Sequence, residues 1–154
     1  MSGYEYGYIF GSIIGFLCIA LIPTIFFLIT QQNTLKSIQP ANRLMEPGLV
    51  WLQLIPLFGL VWQFIVVTRV SDSLRKEFSS WQNDDSILGF SDSQAMQLAR
   101  QRPTYEIGIA YCILLCCSIV PLLGTLAALA ALVCWIIYWV KLSEYKGIIK
   151  RRGF

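Results

Sequence analysis

The chain has 154 residues, of which 56% are hydrophobic, 14% aromatic and 14% charged, with 12 Lys and Arg against 9 Asp and Glu and no His. A balance this apolar exceeds what a water-soluble domain of this length uses, and the lack of His excludes HExxH-type zinc chemistry and His-activated nucleophiles. The net charge of +3 says little as a total; the positions of the cations relative to the apolar stretches say more.

The first uncharged run, Tyr8 to Thr30, is long enough to cross a hydrocarbon core of about 30 Å once. Its flank carries no Lys or Arg and no small-residue cleavage pattern follows, so a retained helix over 8–30 is expected, not a cleaved leader. Gly3, Gly7, Gly11 and Gly15 recur every four residues, a row of bare backbone that permits close helix contact in lipid. Packing within the chain is the first expectation for such a row, and contact between protomers, which obeys the same physics, the alternative. Pro23 removes a donor inside this span and invites a kink.

A polar connection from Gln31 to Glu46 leads through Glu46-Pro47-Gly48, a turn-forming sequence, into the second uncharged run, Pro47 to Thr68. This run predicts one helix over 48–68, with Pro56 inviting a kink. Trp51, Phe58 and Trp62 would share one face of it, and Gln53 and Gln63 are its strongest polar groups, able to bond across helices. The helical period continues as Val70, Leu74, Phe78 and Trp81. Opposite lie Asp72, Arg75, Lys76 and Glu77, so a short amphipathic helix is expected to dock on the bundle or lie on the membrane surface. Gln82 to Gly89 reads as a flexible tip. Ser91-Asp92-Ser93-Gln94 has capping-box spacing, and Pro103 should stop the helix it begins. Thr104 can then open a further span, with Glu106 near its positive dipole end.

From Ile107 to Val140 no charged residue occurs. As one helix these 34 residues would reach about 50 Å, more than tilt absorbs, and Pro121 with Gly124 at the midpoint supply the torsions of a reversal. Two spans, 105–121 and 124–142, follow. Gly108, Cys112 and Cys116 form a small-residue strip on the third span, and Gly124, Ala127, Ala128 and Ala131 one on the fourth.

The expected fold is therefore all-α: a single polytopic membrane domain with four transmembrane helices in two hairpins, a cytoplasmic loop over 69–103 and a cytoplasmic tail over 143–154. In this layout ten cations share one face, while Lys36 and Arg43 lie on the other, and both termini are cytoplasmic by the positive-inside tendency. Lys150, Arg151 and Arg152 would contact anionic lipid headgroups. Ile55-Pro-Leu-Phe-Gly59 echoes Val120-Pro-Leu-Leu-Gly124, but unequal spacing to the following cation argues for a convergent pattern over a duplication.

Every charged residue lies outside the spans or at their ends, which gives a proton- or ion-coupled pathway little to work with. No nucleophile pair, phosphate-binding loop or metal-ligand cluster is legible, and the five cysteines read as small packing residues. No catalytic, metal or cofactor site is expected, and no nucleic-acid partner. Asn42 to Trp62, followed by Ser73-Leu-Arg-Lys-Glu-Phe78 and the closing Trp135-Ile-Ile-Tyr-Trp-Val-Lys141, resembles an uncharacterised family of small bacterial four-span inner-membrane proteins. The resemblance implies a bacterial inner (plasma) membrane setting and no known activity. The expected role is non-enzymatic: helix–helix association with itself or a larger membrane complex, through Gly7, Gly11, Gly15, Gly124, Ala128 and Ala131. An oligomeric channel or small-solute carrier built on Gln53 and Gln63 is the alternative.

Overall fold

The computed structural model describes residues 3–55, 57–82, 97, 100–118 and 124–152. Among them all regular structure is helical: α1 (Gly3–Ser37), a 3-10 helix (Pro47–Leu54), α2 (Phe58–Gln82), α3 (Tyr105–Cys117) and α4 (Gly124–Arg152). Helix α1 runs unbroken through Pro23 and is about 50 Å long. Gln97 and Arg100 are helical, in the stretch where a short helix was expected; the cap at Ser91–Gln94 lies outside the described residues.

The stretch expected as one helix over 48–68 is two elements. Pro47 opens the 3-10 helix from an extended Glu46, and the chain leaves it at Ile55 in extended backbone. It then reverses through Leu57, whose φ of 65° is left-handed. Gly59 follows because a Cβ there would collide with the Gln53 carbonyl, while its own N–H donates to Ile55 O. The 3-10 helix thus lies antiparallel to α2: Leu44 N donates to Ser73 Oγ at 3.0 Å and Trp62 Nε1 to Leu49 O at 2.8 Å. Trp51 accordingly leaves the predicted stripe and donates to Gln32, whereas Phe58 and Trp62 stack at 5.4 Å.

This reversal changes the direction of everything after it. Phe27 packs edge-on against Trp135 and Tyr138, and Trp139 Nε1 donates to Thr30 Oγ1 at 2.9 Å, so α1 and α4 run parallel. Helix α2 also runs parallel to α1, with Glu77 reaching the loop just after Ser37. Helix α3 opposes them, since Ser71 Oγ donates to Pro103 O at 2.8 Å and Gly108 meets Val67. A Cβ on Gly108 would lie 2.5 Å from Val67 Cγ1 and 3.1 Å from the Tyr138 ring, so α3 sits between α2 and α4 only because this position is bare. The expected two-hairpin layout is corrected accordingly. The end of α1, the connection 38–46, the ends of α2 and α4 and the start of α3 gather at one end of the bundle. Lys36 and Arg43 join the other ten cations there, and Gly3 and Arg152 lie at opposite ends.

Burial at this end is tight. Val66, Val67, Val70, Leu74 and Phe78 of α2 are fully buried with Leu35 and Ile38 of α1 and Tyr138 and Leu142 of α4. The amphipathic stretch after Thr68 is the second half of α2, docked on the bundle by the face expected to be apolar. Its polar face departs from expectation at Glu77, which is buried. One carboxyl oxygen accepts from Asn42 Nδ2 at 2.8 Å and Gln39 N at 3.2 Å, and the other from Trp81 Nε1 at 3.4 Å. Arg43 Nη2 donates to Ile38 O and Lys36 O, capping the end of α1.

Helix α4 is, over Gly124–Arg151, long and apolar enough to cross a membrane, and of its apolar 18-residue window only 22% is buried. A soluble protein's core helix would be mostly covered. Tyr105–Cys117 is apolar but shorter. Helix α4 extends the fourth expected span ten residues further, through the basic tail to Arg152.

Candidate functional site

Polar groups meet where the 3-10 helix, α1 and α2 come together. Gln53 Nε2 donates to Gln31 Oε1 at 2.7 Å and to Val50 O at 3.0 Å. Gln63, buried on α2, faces the Tyr111 hydroxyl of α3. Deeper in the bundle the Tyr138 hydroxyl faces Gln31 and Thr104. Geometry there is unsatisfied: Gln31 Nε2, Thr104 Oγ1 and Tyr138 Oη are buried with no hydrogen-bond partner. Such atoms hold Gln31 and Tyr138 in a low-dielectric site where a hydrogen-bonding group would be strongly favoured.

Beside this seam lies a cavity of about 600 Å³, within the range of ordinary ligand pockets. Gln53, Gln63, Tyr111 and Thr24 supply its polar wall, and Phe27, Leu115, Leu132 and Trp135 its apolar one. No charged side chain among the described residues lines it. The arrangement can orient an uncharged group through amide and hydroxyl contacts while an apolar body fills the rest.

The two expected intramembrane polar residues, Gln53 and Gln63, therefore share one cavity wall. Gln31 was placed in a connection and missed, although Leu28, Gln31, Leu35 and Ile38 keep helical spacing past Thr30 and so signal that α1 continues. Tyr111 and Tyr138 carried no signal beyond their apolar surroundings. Of the small residues, Ala131 is buried, Ala128 lines the cavity and Gly124 sits close to Ser118 O across the hairpin. Pro121 and Pro56 lie outside the described residues.

The glycine row behaves differently. A Cβ at Gly7, Gly11 or Gly15 would have nothing within 4 Å, and every described residue from Tyr6 to Gly15 is exposed. Packing within the chain, one of the two uses expected for the row, is not made among the described residues. At the opposite end Lys150 and Arg151 are exposed. Nearby, Tyr145 packs edge-on to Phe78 at 5.8 Å, and burial, then the adjacent Glu144, raises its phenol above the ordinary value.

Compared with protein-family models, with curated proteins and with solved structures, the chain matches none. Function must be argued from the geometry.

Proposed function

We propose that this chain is a non-enzymatic integral membrane protein that acts by helix–helix association, with itself or within a larger membrane complex, through the N-terminal half of α1. One observation carries the reading: the glycine row of this largely apolar helix is open, since the described residues from Gly7 to Gly15 are exposed and a Cβ at Gly7, Gly11 or Gly15 would meet nothing within 4 Å. Lipid can solvate it, and a second helix approaching the glycine row gains close backbone contact that lipid tails cannot give.

Insertion follows from charge. All 12 Lys and Arg belong to segments at one end of the bundle, so the positive-inside tendency makes that end cytoplasmic and puts the start of α1 outside. In this reading α1 and the α3–α4 hairpin cross the bilayer. The 3-10 helix and α2 enter from the cytoplasmic side and return, because the uncharged part of α2, Phe58 to Thr68, rises only about 16 Å, half of a hydrocarbon core of about 30 Å. The bacterial inner membrane as the setting rests on the family resemblance alone.

Single cysteines at positions 7, 11 and 15, in a background without the native five, should cross-link between protomers or to a membrane partner in native membranes. Gly11→Leu with Gly15→Leu should abolish the cross-link from position 7 while leaving the purified chain as stable as before. Undiminished cross-linking in that variant would refute the contact. For orientation, cysteines at Arg43 and Arg75 should be shielded together from an impermeant outside label and one at Glu5 should react; labelling of 43 without 75 would overturn the insertion.

A second reading, an oligomeric channel or small-solute carrier, is favoured by the Gln53–Gln63 cavity. Flux across reconstituted liposomes that falls on Gln63→Leu would select it, and liposomes tight to ions and neutral solutes would exclude it.

A further inference from the structure

A second cavity, of about 550 Å³, opens at the cytoplasmic end between the approach to α3 and the flank of α4. Arg100, Arg102 and Lys141 reach it from two separate segments, with Thr104, Tyr105 and Glu106 completing the polar wall. Arg102 is held in place: its Nε lies 3.1 Å from Asp72 Oδ1, and its guanidinium carbon lies 4.9 Å from the centre of the Tyr105 ring. That leaves its terminal nitrogens to act elsewhere. Arg100 and Lys141 form no salt bridge among the described residues. Thr104 is buried, with its hydroxyl toward Tyr138, and so forms the floor of the cavity.

The depth of this cavity is set by sequence. Glu106 is the last charged residue before the uncharged run and Lys141 the first after it, so the pocket lies where both helices of the hairpin pass from polar to apolar surroundings. Ile107 belongs to the same lining, on the apolar side. Three cations against the single carboxylate of Glu106 in the lining favour an occupant with negative charge at one end and a hydrocarbon body at the other.

We infer that this pocket binds the phosphate of an anionic phospholipid, with Arg100, Arg102 and Lys141 holding the headgroup and the acyl chains running up the exposed flank of α4. Basic pockets between helices at the cytoplasmic surface have the charge and geometry for this. The site is distinct from the solvent-facing tail cations Lys150 and Arg151, which meet headgroups one at a time. The choice of a lipid, and not a soluble phosphate ester, rests on the membrane reading; the choice of a phosphate does not.

The test is native mass spectrometry of the full chain released from neutral detergent, with phosphatidylglycerol or phosphatidylcholine added, and with glycerol phosphate as a soluble competitor. One phosphatidylglycerol should stay bound, phosphatidylcholine should not, and glycerol phosphate should fail to displace the lipid. Arg100→Gln with Lys141→Gln should weaken retention roughly thirtyfold, the charge-conserving Arg100→Lys with Lys141→Arg should restore it, and Arg151→Gln should leave it in place. Equal retention by the Gln variant with its melting temperature unchanged, or equal retention of phosphatidylcholine, would overturn the site. Retention of glycerol phosphate with no retention of phosphatidylglycerol would overturn the lipid while keeping the anion pocket, which separates failure of this inference from failure of the membrane reading.

Discussion

The two halves of α1 are one continuous helix with opposite surroundings. The glycine row from Gly7 to Gly15 is exposed, with Tyr8 82% exposed, whereas Phe27 to Ile38 is built into the bundle, with Gln31 and Thr34 both 0% exposed. The more polar half is the buried one. The same inversion runs through the molecule: Ser71, Ser73 and Glu77 are covered while Leu57, Leu126 and Val61 are open. A protein folding in water buries its apolar side chains first. Beside its apolar core this chain covers several hydrogen-bonded polar groups and leaves many large apolar side chains outward, a surface that fits the proposed membrane setting.

The contrast can be broken most forcefully with one kind of substitution made in both regions. Gly108→Leu should destabilise the fold by about 3 kcal/mol, because the added side chain must displace Val67 and the Tyr138 ring; unfolding in mixed micelles measures it. Next, Glu77→Ala should cost about 2 kcal/mol by leaving Asn42 and the Gln39 N–H without their acceptor, and protease should then cut first within 38–46. Trp139→Phe should cost about 1 kcal/mol, removing one helix-to-helix hydrogen bond to Thr30 and little packing. Smallest of all, Gly7→Leu should shift monomer stability by less than about 0.5 kcal/mol, since nothing described lies within reach of the new side chain. A large loss at Gly7, or none at Gly108, would remove the distinction between the open glycine row and the packed bundle.

Much of the helical layout was legible. The reversal near Pro121 followed from the length of the uncharged run, and α3 and α4 do end and begin around it. The reversal before Phe58 was not read, although Ile55-Pro-Leu-Phe-Gly59 repeats the Pro-x-x-Gly frame of Val120 to Gly124. Its run was short enough for a single span, so length gave no warning and only the likeness of the two motifs could have. Gln53 and Gln63 were visible as polar residues in apolar runs. Their partners Gln31, Tyr111 and Tyr138 were not, because which faces of four helices converge depends on the direction of each helix, and that turned on the unread reversal. The basic pocket escaped for the same reason: Arg100 and Lys141 lie 41 positions apart in the chain.

By itself the sequence determined the helical class, the uncharged stretches and the gathering of cations into a few segments, since periodicity, length and charge are local properties of the chain. Tertiary structure alone decided that the first connection joins the other cations at one end, that Glu77 is covered while the glycine row is open, and that three cations converge on one pocket. These are questions of direction and neighbourhood, and a single turn at Leu57 and Gly59 settles them by reversing every element that follows.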